Sequence, residues 1–339
     1  MRPHLLTLTA AAAVALALLP SAAVAATGPT ASGSSGSASG FTITDPRIKE
    51  SSGLAASRIH PGVYWTHNDS DDGPYVYAVD SATGKTVARI TLTGIGKPRD
   101  VEGISLGPDG RLYVGDIGDN LGGSWNHVWI YRFAEPKTLG DATLKAEQFT
   151  VKYADGPRNA EALMVHPVTG RVYIASKDEK AGGLYEGPES LSASGTNTFR
   201  RIGDVPWVTD GAFSPDGGRL VLRGYLWART YPWKDGRAVG DGEAVAAPWQ
   251  GQAESVTYTA DGSTLMFGAE GVGSRVVAVP VAAAAKPSPS SSAPGAPAPA
   301  PGAPGAPEGG SFTKGALVLV TALTLTLAAK RLLRRRPKP

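Results

Sequence analysis

Five stretches of this chain share one grammar, and that recurrence constrains its fold more than any other feature. They read SSGLAASRIHPGVYWTHND (51–69), DVEGISLGPDGRLYVGDIGDN (100–120), NAEALMVHPVTGRVYIASKDE (159–179), VTDGAFSPDGGRLVLRGYLW (208–227) and QAESVTYTADGSTLMFGAEG (252–271). Each opens on a polar or acidic position, runs through a short apolar strand, turns on Pro, Asp or Gly, and returns in a second apolar strand. The opening positions are Ser52, Glu102, Glu161, Asp210 and Glu254, at intervals of 50, 59, 49 and 44 residues. Intervals of this size with several short strands in each predict an all-β propeller.

Two further strands follow most of these pairs: YVYAVD and TVARITL, VWIYRF and EQFTVKY, GGLYEGP and FRRIGDV, ARTYPW and EAVAAPW. After the fifth pair only RVVAVPV remains. The missing strand is supplied by FTITD at 41–45, so the N-terminal strand closes the last blade and removes an open sheet edge. The expectation is five four-stranded blades over 41–283; a sixth fits if the 59-residue interval holds an irregular extra element. Helical periodicity appears only in the two end segments.

Those ends say where the chain goes. Residues 1–26 carry a basic start, an apolar run and a small-residue site, the pattern of a secretory signal peptide. Residues 27–40 are a Gly/Ser linker. Residues 284–311 are a Pro/Ala/Gly stalk that cannot build a core. Residues 312–329 read as a transmembrane helix, and 330–339 as a basic tail that the positive-inside rule puts in the cytoplasm. The expected location is the cell membrane, single-pass, with a monomeric propeller outside. The chain has no Cys, which removes disulfides and thiol chemistry. Its formal charge is +3, yet residues 41–283 hold 24 Lys/Arg against 29 Asp/Glu. The folded part has no basic surplus, so no nucleic-acid partner is expected.

In a propeller the innermost strand of a blade begins, and the second ends, on one face. That puts Glu102 with Asp116, Glu161 with Ser176 to Asp178, Glu254 with Glu270, and His67 to Asp69 beside them. Crowded carboxylates raise one another's pKa unless a cation neutralises them, and a hard oxygen-preferring ion such as Ca2+ suits the set. The candidate metal ligands are Glu102, Glu161, Asp210, Glu254, Asp69 and Asp116. The alternative is that each acid accepts backbone amides at its own blade corner. Zinc suits the set less than calcium, since there is no Cys and His60, His67, His127 and His166 show no ligand spacing. NDSDDG (68–73) matches a calcium loop only in part, because Val79 stands where the closing acid belongs; it reads as a hairpin loop. GDIGDN (115–120) is a turn that also offers Asp116, Asp119 and Asn120 as ligands. GISLG (103–107) mimics a nucleophile elbow but lies inside a strand. Arg99, Arg158, Lys177 and Arg223 either meet an anionic ligand or balance the acids. Trp65, Trp125, Trp207, Trp227, Trp233 and Trp249 read as packing before a carbohydrate platform.

RDVEGISLGPDGRLYVGDIGDN, RNAEALMVHPVTGRVYIASK and AESVTYTADG together resemble exported bacterial β-propellers of the esterase-like, phytase type, and more loosely the gluconolactonase and WD-type repeat proteins. The resemblance covers 41–283. It implies calcium on the axial face and phosphoester hydrolysis, with Glu102, Glu161 and Glu254 at the matching strand starts. Asp210 is a shorter version and Ser52 departs. Two functions follow as expectations. One is a surface-tethered module binding a small molecule or protein, stabilised by calcium. The other is a calcium-dependent hydrolase of phosphoesters, esters or lactones.

Overall fold

The computed structural model describes residues 38–281 apart from 71, 179 and 181. The segments expected to be a signal peptide (1–26), most of the linker, the stalk (284–311), a transmembrane helix (312–329) and a basic cytoplasmic tail (330–339) lie outside the described residues. The chain divides into two units, Met1–Ala283 and Ala284–Pro339; every described residue belongs to the first. Among the described residues there is no helix, and so none long and apolar enough to cross a membrane.

A short N-terminal strand, β1 (Phe41–Thr42), precedes five antiparallel meanders. The first is β2 (Ser51–Ala56), β3 (Val63–Asn68), β4 (Tyr75–Asp80) and β5 (Thr86–Thr93). The second is β6 (Val101–Leu106), β7 (Arg111–Asp116) and β8 (Val128–Ala134), then β9 (Ala142–Lys145), which leaves for the first sheet, and β10 (Glu147–Tyr153), which returns beside β8. The third is β11 (Ala160–Val165), β12 (Val172–Ser176), β13 (Gly183–Glu186) and β14 (Thr196–Asp204). The fourth is β15 (Asp210–Phe213), β16 (Arg219–Arg223) and β17 (Ala228–Lys234), with β18 (Arg237–Ala238) and β19 (Glu243–Val245) both on β17. The last is β20 (Ala253–Tyr258), β21 (Thr264–Ala269) and β22 (Arg275–Pro280), and β1 completes it by pairing with β22.

The innermost strands β2, β6, β11, β15 and β20 touch in chain order, and β20 returns to β2. The ring is therefore closed, which is a β-propeller arrangement. Five apolar clusters sit between successive meanders. Trp65, Ala78 and Ile90 meet Val114, Tyr131 and Phe133 between the first and second. Ile130 and Phe149 meet Leu163, Ile174 and Phe199 between the second and third. Met164 and Tyr173 meet Leu220 and Tyr231, and Val221 meets Val256 and Phe267. Met266 and Val276 meet Leu54, Tyr64 and Tyr77, joining the last meander to the first. Burial explains the sequence pattern. Inner strands such as β11 and β20 are covered on both faces and buried at every position, whereas the outer strand β14 alternates exposed and buried over its first half. Period-2 patterning survives only where one face meets water.

Two parallel pairings stitch the rim: β9 lies along β5 and β10 along β14. Both occupy edges that would otherwise stand open. At the hub, close approach demands glycine. A Cβ on Gly103 would lie 2.6 Å from the Leu163 amide nitrogen, and one on Gly53 2.9 Å from that of Ile104. No other residue lets neighbouring inner strands come so near.

Candidate metal centre at the axial mouth

Three of the acids that head the repeats, Glu102, Glu161 and Glu254, are placed by bulges. Across β6 and β7, Val101 opposes Asp116 and Gly103 opposes Gly115, so Glu102 is an extra residue. The same shift isolates Glu161 between Ala160 and Ala162, and Glu254 between Ala253 and Ser255. In β2 it falls between Ser51 and Leu54, at Ser52 and Gly53. A bulge kinks the strand and re-aims the extra side chain. β15 begins at Asp210 itself and carries no such shift.

The result is a buried acidic mouth in two halves. In one, Asp69, Asp100 and Glu102 bring carboxylate oxygens within 4.8 Å of one another. Ser52 Oγ donates to Glu102 Oε2 at 3.0 Å, and Asn120 Nδ2 to Asp100 Oδ2 at 2.9 Å. Oδ1 of Asp69 is buried with no partner. Burial, then the neighbouring acids, push the Asp69 and Glu102 carboxyls well above the ordinary range. In the other half, Lys177 Nζ lies 3.0 Å from Glu161 Oε2 and donates to the Tyr225 hydroxyl at 3.3 Å. Burial lifts Glu161 to about 7 and Glu254 to about 8, with Lys177 holding both lower than they would otherwise stand. Burial pulls on Lys177 the other way, but Glu161 and Glu254 outweigh it and keep it protonated. Glu254 is 4 % exposed, and its Oε2 has no partner. Gln252 Nε2 donates to Glu270 Oε2 at 2.8 Å.

Of the six residues expected to ligate a metal, Asp69 and Glu102 stand together. Glu161 and Glu254 share Lys177. Asp116 and Asp210 are occupied otherwise. Asp116 accepts the Arg99 amide at 3.1 Å, the Asp100 amide at 3.0 Å and the Tyr131 hydroxyl at 2.6 Å. Asp210 Oδ2 accepts the Val256 amide at 2.8 Å, tying β15 to β20. Asp116→Ala strands three donors, each worth about 1–3 kcal/mol when buried. Denaturant unfolding in chelator should show a loss of about 3 kcal/mol or more, with cation affinity nearly unchanged. Unchanged stability would refute this structural role.

Asp100 completes the trio and was not among the six. Its signal was its place two residues before Glu102, at the end of the preceding loop. The other singled-out motifs find local duties. Asn68 Oδ1 accepts the Lys49 and Glu50 amides, and Asp72 takes the Tyr77 hydroxyl. Asp119 accepts the Trp125 amide at 2.6 Å. Ser105 Oγ accepts the Val165 amide at 3.0 Å, across from β6 to the neighbouring inner strand β11. Arg223, fully buried, donates to the Ser255 and Gly268 carbonyls at 2.5 and 2.6 Å. His67 is buried and held neutral, its pKa lowered to about 4 by burial. Trp65 is core at 0 % exposure, while Trp249 is 74 % exposed.

No family model matches the chain, and no curated protein matches it. Among solved structures it is similar to the PQQ-bound aldose sugar dehydrogenase of Streptomyces coelicolor, at 14% identity over 70% of this chain and 97% of that one, with a TM-score of 0.42. It is also similar to the gluconolactonase XC5397 of Xanthomonas campestris, at 16% identity over 72% and 80% of the two chains, TM-score 0.44. A third is the hydrazine synthase of Kuenenia stuttgartiensis, at 15% identity over 64% and 61%, TM-score 0.37. Likeness this distant says nothing of the chemistry at the mouth.

Proposed function

We propose that the protein is a five-bladed propeller that hydrolyses esters or lactones at its acidic mouth, with a hard divalent cation held by Asp69, Asp100 and Glu102. The observation that carries this reading is the trio itself: three carboxylate oxygens within 4.8 Å, one of the acids with a buried oxygen lacking a partner. An all-oxygen acidic donor set fits calcium before zinc. The five blades rest on the five meanders and the five clusters between them. The tails, as read from sequence, support a domain that is exported and tethered at the outer face of the membrane.

A cation bound at the trio would supply Lewis acidity and a readily ionised water. The chain's own residues do the rest. Glu254 and Glu161, poised near neutrality, take up and return a proton. Lys177 fixes Glu161 and balances its charge. Asn120 holds Asp100, and Ser52 holds Glu102. Phosphoesters, which the phytase-type resemblance suggests, come second: recognising a phosphate calls for a cationic clamp, and Lys177 is already engaged.

The test uses full-length protein, calcium titration with thermal unfolding, and simple aryl-ester and sugar-lactone substrates. Calcium should raise the unfolding temperature and support turnover, and Glu102→Gln should remove the thermal shift and cut kcat/KM at least about a hundredfold. A thermal shift with no turnover would replace this reading with a calcium-stabilised binding module. No shift would remove the metal centre.

A further inference from the structure

A second cleft lies between the β7–β8 and β10–β11 connections. It encloses about 220 Å3 and is lined by Trp125, Asn126, His127, Lys152, Tyr153 and Pro157, among others. That is the space of about seven waters, enough for one six-membered ring with its substituents.

Its aromatic wall is set in advance. The Arg99 guanidinium is clamped between two indoles, 3.9 Å from the Trp125 ring centre and 3.7 Å from that of Trp129. Arg99 also donates to the His127 carbonyl at 3.0 Å. The Trp125 amide is anchored on Asp119. Tyr153 packs edge-on against Tyr185 at 5.0 Å. It is 8 % exposed, yet its hydroxyl has no partner.

The chemistry of the walls narrows the occupant. A cation finds no free acid, because Asp155 is paired with Arg158 at 2.8 Å and Asp119 is bound to Ser124 and Trp125. Among the lining side chains an anion would meet a single lysine or arginine, the exposed Lys152. A wholly apolar ligand would leave the Tyr153 hydroxyl unsatisfied. A ring with apolar C–H faces and hydroxyl edges satisfies both the aromatic surfaces and the orphaned hydroxyl.

The geometry points to a binding site for a neutral sugar ring in this cleft, with Trp125 as the platform and the Tyr153 hydroxyl as the polar anchor. It goes beyond the axial reading and needs neither the cation nor turnover.

Full-length protein in chelator is titrated with glucose, galactose, N-acetylglucosamine and their methyl glycosides. Binding is followed by tryptophan fluorescence and calorimetry. At least one sugar should give a saturable change. Trp125→Ala should abolish it, and Tyr153→Phe should weaken it about tenfold. Tyr153→Phe deletes an oxygen that bonds nothing within the protein, so its unfolding temperature should not fall; loss of binding without loss of stability distinguishes an anchor from a packing residue. Trp249→Ala, at an exposed indole elsewhere, should leave binding intact. Failure of all these sugars to bind, or affinity unchanged in both cleft variants, overturns the site.

Discussion

Protein stripped of divalent cations is expected to lose stability as the pH rises from about 5 to 8, and calcium is expected to restore most of it. In the folded state Glu161 and Glu254 stand at about 7 and about 8, against 4.5 for an unperturbed glutamate. Between these values the folded protein holds protons that the unfolded chain has already released. Stability then falls with pH, because the unfolded state binds fewer protons. Displacing a pKa by one costs about 1.4 kcal/mol, so two buried acids sharing one lysine lose on the order of several kcal/mol across the range. Asp69 and Glu102, raised by the same burial, add to the loss. A cation bound only by the folded state offsets it, by about 4 kcal/mol at a thousandfold excess over its dissociation constant. Urea unfolding at pH 5, 6.5 and 8, with chelator and with calcium, measures this. Stability in chelator that stays level or climbs over this range would show that the acids are not held under strain.

Lys177→Met should be the most damaging single change at the mouth, and its cost should depend on pH. The lysine faces Glu161 at 3.0 Å and is the near counter-charge for Glu254. Removing one partner of a buried pair costs about 3–5 kcal/mol, because the remaining charge is left uncompensated. At pH 8 that full cost is expected. At pH 5 both glutamates are protonated and much of it should vanish. The double variant Lys177→Met/Glu161→Gln should recover most of the stability at pH 8, and the pH profile of any turnover should move upward when Lys177 alone is lost. Equal destabilisation at both pH values would mean that the lysine acts through packing and not through charge.

The broad plan was legible because it is repeated. Five strand pairs, four of them headed by an acid, the outer strands that follow them, and Phe41–Thr42 closing against β22 all follow from apolar alternation and turn residues. The inner strands were legible by position but not by period, since burial on both faces erases alternation in AEALMV and AESVTY. The bulges were not legible at all. An extra residue at Glu102 leaves the string of residue types unchanged; only pairing with β7 exposes it. β9 escaped notice because ATLK is short and mostly exposed, and its place beside β5 is set by the rim. At the mouth, the recurrence of Glu102, Glu161 and Glu254 was visible. The difference between Asp210 and the rest was not, because it depends on an amide donated from another meander. Asp100 lies outside the repeated strand, in a loop whose course is set by contacts on both sides, such as the Val101 amide on the Asp69 carbonyl.

The pairing of Phe41 with Val276 has a kinetic corollary. Among the described residues, the first strand to leave the ribosome is adjacent to the last. The circle stays incomplete until nearly the whole domain has been made, and its closing step joins segments more than two hundred residues apart. Such distant contacts are slow to form, so a chain still being synthesised presents separate hairpins with bare edges, and the domain locks only after its final strand arrives.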